Sequence, residues 1–248
     1  MGAVLGIRVD TARGVLWATT SGISQMDGYV PADSAIAALL EVRMSDGTIL
    51  KRWDLPPVTG GHVLGDLAIG PHGDVFVTDS NQPVLYRLRP IAGATLEAVR
   101  HPLFHSLQGL APEPGGRFLY LSDYSLGMLK VDLETNAVAR LADAPHSTSV
   151  GCDGIVWYRG SIIAVQNGVR LPRIMRFTID GAGTRIVHAE SIDRNLAIAD
   201  EPTIGTIARG HFVYVANSQW DKHDDRGNVL AGAHLAAPVL LSVRLPHK

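Results

Sequence analysis

The 248-residue sequence has one cysteine, little net charge and no long apolar run. Cys152 cannot form an internal disulfide, so the sequence excludes a disulfide-stapled scaffold and a multi-cysteine zinc site. Lys and Arg number 22 and Asp and Glu 24, a net charge of -2 without a basic block. This balance lacks the electrostatic signature of nucleic-acid or anionic-membrane binding, and neither is expected as a partner.

Targeting and cofactor motifs are also lacking. No window reaches the roughly 18 apolar residues of a membrane span, and the amino terminus has no basic stretch followed by an apolar run. The chain as given is therefore expected to be soluble and cytoplasmic, although a longer parent protein would leave export open. No nucleophile elbow, phosphate-binding loop or dinucleotide fingerprint is present.

What the sequence does contain is a repeat of short, strand-like segments. Apolar runs rich in Val, Ile, Leu and Tyr alternate with tight turns, and look-alike second strands occur at residues 75–79, 119–123, 162–167 and 213–218. The period is 43 residues from Gly65 to Gln108 and 45 from Gln108 to Asp153. Each unit reads as a hairpin followed by two more strands, which is typical of a β-propeller blade.

The repeat predicts an all-β propeller of four-stranded antiparallel blades in a single domain. Five blades are visible, at about residues 4–55, 62–100, 106–142, 150–190 and 201–246. A two-sheet sandwich fits five similar units at one period poorly. The last unit has no room for a fourth strand and Val4 already begins an innermost strand, so we expect that one blade is missing before Met1.

In a propeller, function usually lies on the face onto which the loops entering the innermost strands open. Two insertions, at residues 21–34 and 218–237, connect second to third strands and should roof the channel there. Residues 32–40 suit either a short helix or a strand that follows the first insertion. Six of the ten histidines map to the same face: His62, His101, His105, His146, His223 and His234.

Polar residues at the starts of the innermost strands are the strongest site candidates, because these positions converge on the axis. They are Asp66, Gln108, Asp153 and Glu201. Carboxylate and amide oxygens around an axis suit a hard divalent cation such as Ca²⁺, with Zn²⁺ or Mg²⁺ as alternatives, and a bound cation polarises an ester or activates water. The competing interpretation is that these side chains only hydrogen-bond to turns.

Substrate-binding candidates lie around these positions. They are His62, His105, His146, Asn167, Asn217 and Trp220. The simpler interpretation is that loop histidines face solvent and that Asn at a strand end is a turn residue. Cys152, next to Asp153 in a strand expected to be buried, is predicted to be an inert core thiol.

Several segments resemble the gluconolactonase and regucalcin-like (senescence marker protein) propellers over nearly the whole chain. They are LQGLA at 107–111, GRFLYLSD at 116–123 and DGI at 153–155, and DEPT at 200–203 with VANSQW at 215–220 is similar to a bacterial branch. Such proteins have six blades. The resemblance implies a divalent cation at the channel mouth, held by a Glu from the first blade, two Asn and an Asp that is also the general base.

Matched residue by residue, the general base of that family corresponds to Asp153 and one Asn to Gln108. The other Asn corresponds to Gly65, with Asp66 adjacent, and the Glu has no counterpart unless Glu201 replaces it. The resemblance therefore implies a metal-assisted hydrolase of a sugar lactone or related small ester, with Asp153 as both metal ligand and catalytic base.

Two other hypotheses remain open. One is a non-catalytic propeller that binds a small ligand or protein through its insertions, with Trp220 and Tyr29 as aromatic anchors. The other is an incomplete ring that self-associates through an open blade edge.

Overall fold

The computed structural model describes residues 1–246, and these form nineteen strands in five antiparallel sheets. Four sheets have four strands and the last has three, arranged as the blades of a five-bladed propeller. The predicted fold class is confirmed. Within residues 1–246 no helix has the length and apolar character needed to cross a membrane.

The strands of each blade follow the chain from the axis outward. Blade 1 contains β1 (Ala3–Asp10), β2 (Val15–Ser21), β3 (Ala37–Arg43) and β4 (Ile49–Asp54). Blade 2 contains β5 (Leu64–Ile69), β6 (Val75–Asp79), β7 (Val84–Leu88) and β8 (Glu97–Val99). Blade 3 contains β9 (Leu107–Pro112), β10 (Phe118–Asp123), β11 (Gly127–Asp132) and β12 (Val138–Arg140).

The last two blades differ in their outer strands. Blade 4 contains β13 (Cys152–Tyr158), β14 (Ser161–Gln166), β15 (Arg173–Ile179) and β16 (Ile186–Arg194). Blade 5 contains β17 (Gly205–Ala208), β18 (His211–Val215) and β19 (Leu240–Arg244). In the first insertion a short 3-10 helix, Pro31–Ala35, precedes β3, so of the two alternatives for residues 32–40 the strand after the insertion describes most of the segment.

The core is a series of apolar layers between consecutive blades. Buried clusters join blade 1 to blade 2, blade 2 to 3, blade 3 to 4 and blade 4 to 5. Each layer removes one face of two sheets from water, which is the main stabilising term of the fold. Among residues 1–246 no such cluster joins blade 5 to blade 1, and Ile7, Val9 and Leu240 are exposed. Self-association through this seam stays a prediction.

A buried acceptor at the end of the second strand fixes the loop that leads into the innermost strand. In blade 3, one Asp123 oxygen accepts the N–H groups of His105 and Ser106 at 2.8 Å, and the other accepts those of Ser125 and Leu126 at 3.1 Å. Burial raises the pKa of Asp123, but these hydrogen bonds outweigh it and the net pKa is lowered. In blade 2, one Asp79 oxygen accepts the N–H groups of Val63, Asn81 and Gln82 at 3.0–3.1 Å.

We predict that Asp123→Asn lowers stability by about 1–3 kcal/mol at pH 7, because an amide NH₂ then faces backbone N–H donors. Urea denaturation measures the effect. The pKa of Asp123 is lower in the folded protein than in the unfolded chain. The stability difference between the wild-type and Asp123→Asn proteins should therefore be present in full above the unfolded-state pKa and shrink as the pH falls below it. The control is Asp27→Asn in an exposed loop; equal stability of the Asp123→Asn protein and the control would refute the role.

Candidate functional site

A β-bulge near the start of the innermost strand in blades 1 to 4 shapes the channel mouth. In blade 3 the pairing skips from Leu107 to Leu110, and in blade 4 from Cys152 to Ile155. Similar breaks occur in β1 and β5. A bulge releases its residues from the regular ladder and redirects their side chains. Gln108 and Asp153 are therefore bulge residues, which explains how a regular blade presents polar groups at the axis.

Asp153 is the centre of a hydrogen-bonded group contributed by three blades. One of its carboxylate oxygens accepts the Thr203 hydroxyl at 2.5 Å and the Asn167 amide at 3.1 Å. Asn167 also donates to the Pro202 carbonyl at 2.8 Å, and Tyr124 donates to the Asn167 amide oxygen at 3.0 Å. Within residues 1–246 no hydrogen-bond donor contacts the other Asp153 oxygen, which is thus the one available to a reactant.

The surroundings of Asp153 raise the pKa of its carboxyl group toward neutral pH. Burial raises its pKa, as do the charges of Asp66 and Glu201, while the bonds from Thr203 and Asn167 lower it, and the result is a pKa of about 6. Burial and the charges of Asp153 and Glu201 raise the pKa of Tyr124, so its phenol group stays protonated at neutral pH. A carboxylate with such a pKa is suited to general-base catalysis.

Asp66 has a different environment from that expected. It is 2% exposed, and its two oxygens lie 2.9 and 3.1 Å from the Arg8 guanidinium, while one also accepts the Leu67 N–H. Burial raises the pKa of Asp66, and Arg8 and the Leu67 N–H oppose that rise. Arg8 also lines a cavity of about 290 Å³ formed by the later halves of the innermost strands. Asp66 is thus engaged by an internal cation.

The other two proposed metal ligands are also occupied. The Gln108 amide oxygen accepts the Ser80 hydroxyl at 3.2 Å. Glu201 precedes its strand, with φ of 59°, and its carboxylate accepts the Asp221 N–H of the second insertion at 3.3 Å. Thr203, two residues later, is the blade 5 residue that contacts Asp153. In the sequence, Thr203 simply follows Pro202, and no local pattern distinguishes it from the other threonines.

The substrate-binding candidates divide into buried and accessible groups. His62 is buried, with Nδ1 2.5 Å from Asp79 and Nε2 3.0 Å from the Pro56 carbonyl, so both nitrogens are used within the protein. Asn217 is buried and bonded to Ala237 and Val239 at the end of the second insertion. Both residues thus hydrogen-bond within the protein, and their assignment to substrate binding stays a prediction.

The remaining candidates keep their accessibility. His105 and His146 are exposed in loops that enter innermost strands, and Asn167 is in the Asp153 group. Trp220, in a short 3-10 helix Trp220–Lys222, is 43% exposed. Cys152 is buried and its thiol pKa is raised by burial, then by the charge of Asp153. An inert thiol is consistent with this environment.

The two insertions contact each other. Gly227, with φ of 79°, lies so close to the first insertion that a Cβ there would be 1.9 Å from the Ser24 carbonyl oxygen. The second insertion is held at its base by Gln219, whose amide bonds both the N–H and the C=O of Ala236. Contact between blade 1 and blade 5 is thus made through insertions on the face where the Asp153 group lies.

The residues at the mouth do not fit a preformed divalent cation site. Ca²⁺ takes 6–8 oxygen ligands, whereas Asp66 is paired with Arg8 and Asn167 turns its NH₂ group, not its oxygen, toward Asp153. The Pro202 carbonyl fixes that amide orientation. Among residues 1–246 no three His, Cys, Asp or Glu side chains are grouped as metal ligands.

Comparisons with known proteins support the fold. No protein-family model matches the chain, and no curated protein sequence matches it. A streptogramin B lyase structure matches with a TM-score of 0.60 and 16% identity, covering 86% of this chain and 62% of that one. This chain thus spans less than two thirds of the lyase.

Two further solved structures are informative. An oxidoreductase described as a glucose dehydrogenase, from Thermus thermophilus, has a TM-score of 0.64 and 14% identity, covering 98% of this chain and 83% of that one. A gluconolactonase from Xanthomonas campestris has a TM-score of 0.57 and 16% identity, covering 86% and 69%. At these identities the similarity shows a shared propeller fold and leaves the activity open.

We predict that Asp153→Asn stabilises the protein at pH 8 by about 2–3 kcal/mol, because it removes a buried carboxylate whose pKa is raised to about 6. An amide oxygen can still accept from Thr203 and Asn167. Since the folded pKa is raised, the cost of the wild-type carboxylate develops as pH rises from about 4 to 6. The free energies of unfolding of the wild-type and Asp153→Asn proteins, measured by urea denaturation, should therefore become equal near pH 4. An Asp153→Asn protein that is less stable than the wild type at pH 8 would contradict the prediction.

We also predict that Gly227→Ala separates the two insertions, because the added Cβ collides with the Ser24 carbonyl. Hydrogen exchange should rise in residues 22–34 and 219–237 and stay unchanged in β9 and β13. Gly28→Ala is the matched control, since Gly28 has a similar φ of 70° but nothing within 4 Å of its Cβ position. Equal exchange in the two variants would show that the contact is unimportant.

Proposed function

We propose that this chain hydrolyses a small lactone or related ester at the channel mouth, with Asp153 as the general base. The observation that supports this most directly is the Asp153 carboxylate itself. One of its oxygens is fixed by Thr203 and Asn167, the other has no donor within residues 1–246, and its pKa is about 6. The similarity to a gluconolactonase structure adds support at the level of fold.

In the proposed reaction Asp153 removes a proton from water as the water oxygen attacks the carbonyl carbon. The C=O electron pair moves to oxygen, and it returns as the ring or ester C–O bond breaks. The proton held on Asp153 passes to the departing oxygen, so the products are a carboxylic acid and a hydroxyl group. A water molecule is consumed and the carboxylate is regenerated.

Neighbouring groups have distinct roles in this scheme. Thr203 and Asn167 are positioning residues, because they act through Asp153 and hold one of its oxygens. Tyr124 fixes Asn167 in turn. Gln108, on the adjacent blade, has an amide NH₂ whose bond to Ser106 is long at 3.4 Å, so it is the candidate donor to the developing oxyanion.

A second candidate function is non-catalytic binding of a small ligand or protein through the insertions. The exposed Trp220 on the second insertion favours it, because an accessible aromatic ring on an ordered segment is a typical anchor. In that case Asp153→Asn would leave ligand affinity unchanged, whereas removal of the Trp220 ring would weaken it.

The test is hydrolysis of a panel containing glucono-lactone, butyrolactone and a nitrophenyl ester, followed by pH titration. Activity should rise through pH about 6 as Asp153 ionises, and Asp153→Asn should lower the rate by about 100-fold or more. Thr203→Val should move the pH midpoint upward, because the hydroxyl bond lowers the pKa of Asp153. Asp27→Asn is the control with unchanged activity.

Two results would overturn the proposal. Full activity in Asp153→Asn would remove Asp153 from the reaction, and an unshifted pH profile in Thr203→Val would remove its positioning role. Because the described residues at the channel mouth do not form a set of oxygen ligands for a divalent cation, chelation of metal ions by EDTA should leave both the hydrolysis rate and Tm unchanged. A rise in Tm with Ca²⁺ would show instead that a cation reorganises these residues.

A further inference from the structure

A cleft of about 320 Å³ lies between blades 1 and 2, away from the channel mouth. Its walls come from β2, β4 and β6 and from the loop that joins β7 to β8. A second cavity of about 420 Å³ adjoins it and shares Lys51, Trp53, Ile91 and Ala94 with it. The two form one groove large enough for a single-ring compound, and the Asp153 chemistry does not use it.

Two tryptophans form one wall of the cleft. The rings of Trp17 and Trp53 are 5.6 Å apart at an angle of 32°. Trp53 donates its indole N–H to the Ala94 carbonyl at 2.9 Å, which holds the β7–β8 loop against the cleft. The indole N–H of Trp17 is buried and has no acceptor among residues 1–246. Its nitrogen has almost no accessible surface and Trp17 as a whole is 4% exposed, so this N–H is not within reach of a compound in the cleft.

Cations outnumber carboxylates in the lining. Arg13, Lys51 and Arg89 line the first cavity, against Glu41 alone, and Arg52 of the second cavity is paired with Asp54. Lys51 is the most available of the three, since its side chain is 67% exposed, lies 3.7 Å from Glu41 and sits 5.9 Å from the Trp53 ring centroid. Arg13 is bonded to Asp10 and the Gly73 carbonyl, and Arg89 to Glu97.

The rest of the lining is apolar, and this narrows the ligand class. Val75 and Leu88 form the inner wall, and Pro90 and Ile91 lie on the loop side. These apolar side chains suit a flat apolar ring that packs against Trp53, and a carboxylate on the ring meets Lys51.

We propose that this cleft, which combines the partly exposed Trp53 ring with the exposed cation of Lys51, is a binding site for a small aromatic carboxylate. The ring packs on Trp53. The carboxylate pairs with Lys51 at the open side. The site is independent of hydrolysis at the channel mouth, so either can exist without the other.

Benzoate is the probe, and the readout is the indole N–H resonances of protein labelled with ¹⁵N-tryptophan. The chain has four tryptophans, so each spectrum contains two reporters, Trp17 and Trp53, and two internal controls, Trp157 and Trp220. Benzoate should shift the indole N–H resonances of the two reporters until they saturate, with a Kd of about 1 mM, as expected for a small fragment. Trp17→Phe and Trp53→Phe assign the peaks.

Two variants and a second compound test the chemistry. Lys51→Gln should weaken benzoate binding by about threefold, as expected for one exposed ion pair. Arg43→Gln is the matched control, because Arg43 is also an exposed cation of blade 1, paired with Asp46 outside the groove, and affinity should be unchanged. Benzyl alcohol, which keeps the ring without the charge, should bind more weakly than benzoate.

Three results would overturn the proposal. Reporter resonances that stay fixed at saturating benzoate would remove the site, and equal shifts in all four tryptophans would indicate non-specific association. Equal affinity for benzyl alcohol and benzoate would remove the preference for a carboxylate. These results are independent of lactone hydrolysis, because Asp153 is neither one of the reporter tryptophans nor one of the substituted residues.

Discussion

The bulge near the start of the innermost strands of blades 1 to 4 is the constraint on which the channel mouth depends. Strands that converge on an axis bring their backbones into contact, and at Gly109 a Cβ would lie only 2.5 Å from the Ile155 nitrogen of the next blade. The bulge places Gly109 at this close approach and Gln108 beside it, and β13 repeats the pattern with Asp153. Close packing and an exposed polar group are thus two results of one backbone irregularity.

Side-chain hydroxyls opposite the bulges join the blades to one another. Thr19 donates to the Leu64 carbonyl at 2.7 Å, Thr78 donates to the Gln108 carbonyl, and Ser122 donates to the Asp153 carbonyl at 2.7 Å. Carbonyls of an innermost strand have no neighbouring strand on the axis side, so a buried carbonyl needs another donor. The hydroxyl supplies it and, in the case of Ser122, fixes the backbone of the candidate base.

The sequence predicted what depends on local pattern. Alternation and tight turns located β7 at Val84–Leu88 to the residue, and the position of Asp153 at the mouth followed from the repeat. Contacts between blades were not predictable in this way, because nothing local marks Thr203 or Arg8 as the partner of a residue 50 or 58 positions away. The hydrogen bonds of His62 and Asn217 were not predictable for the same reason, because their partners Asp79 and Ala237 lie 17 and 20 positions away.

Arg8 gives the two channel carboxylates, Asp66 and Asp153, different surroundings. A cation beside a carboxylate favours its charged form and reduces its basicity. Arg8 is within 3.1 Å of Asp66, while the contacts of Asp153 are the neutral Thr203 and Asn167. The charge of Asp66 therefore adds to burial in raising the pKa of Asp153 toward neutrality. Burial still raises the pKa of Asp66, so Arg8 only partly offsets the lost hydration of that carboxylate.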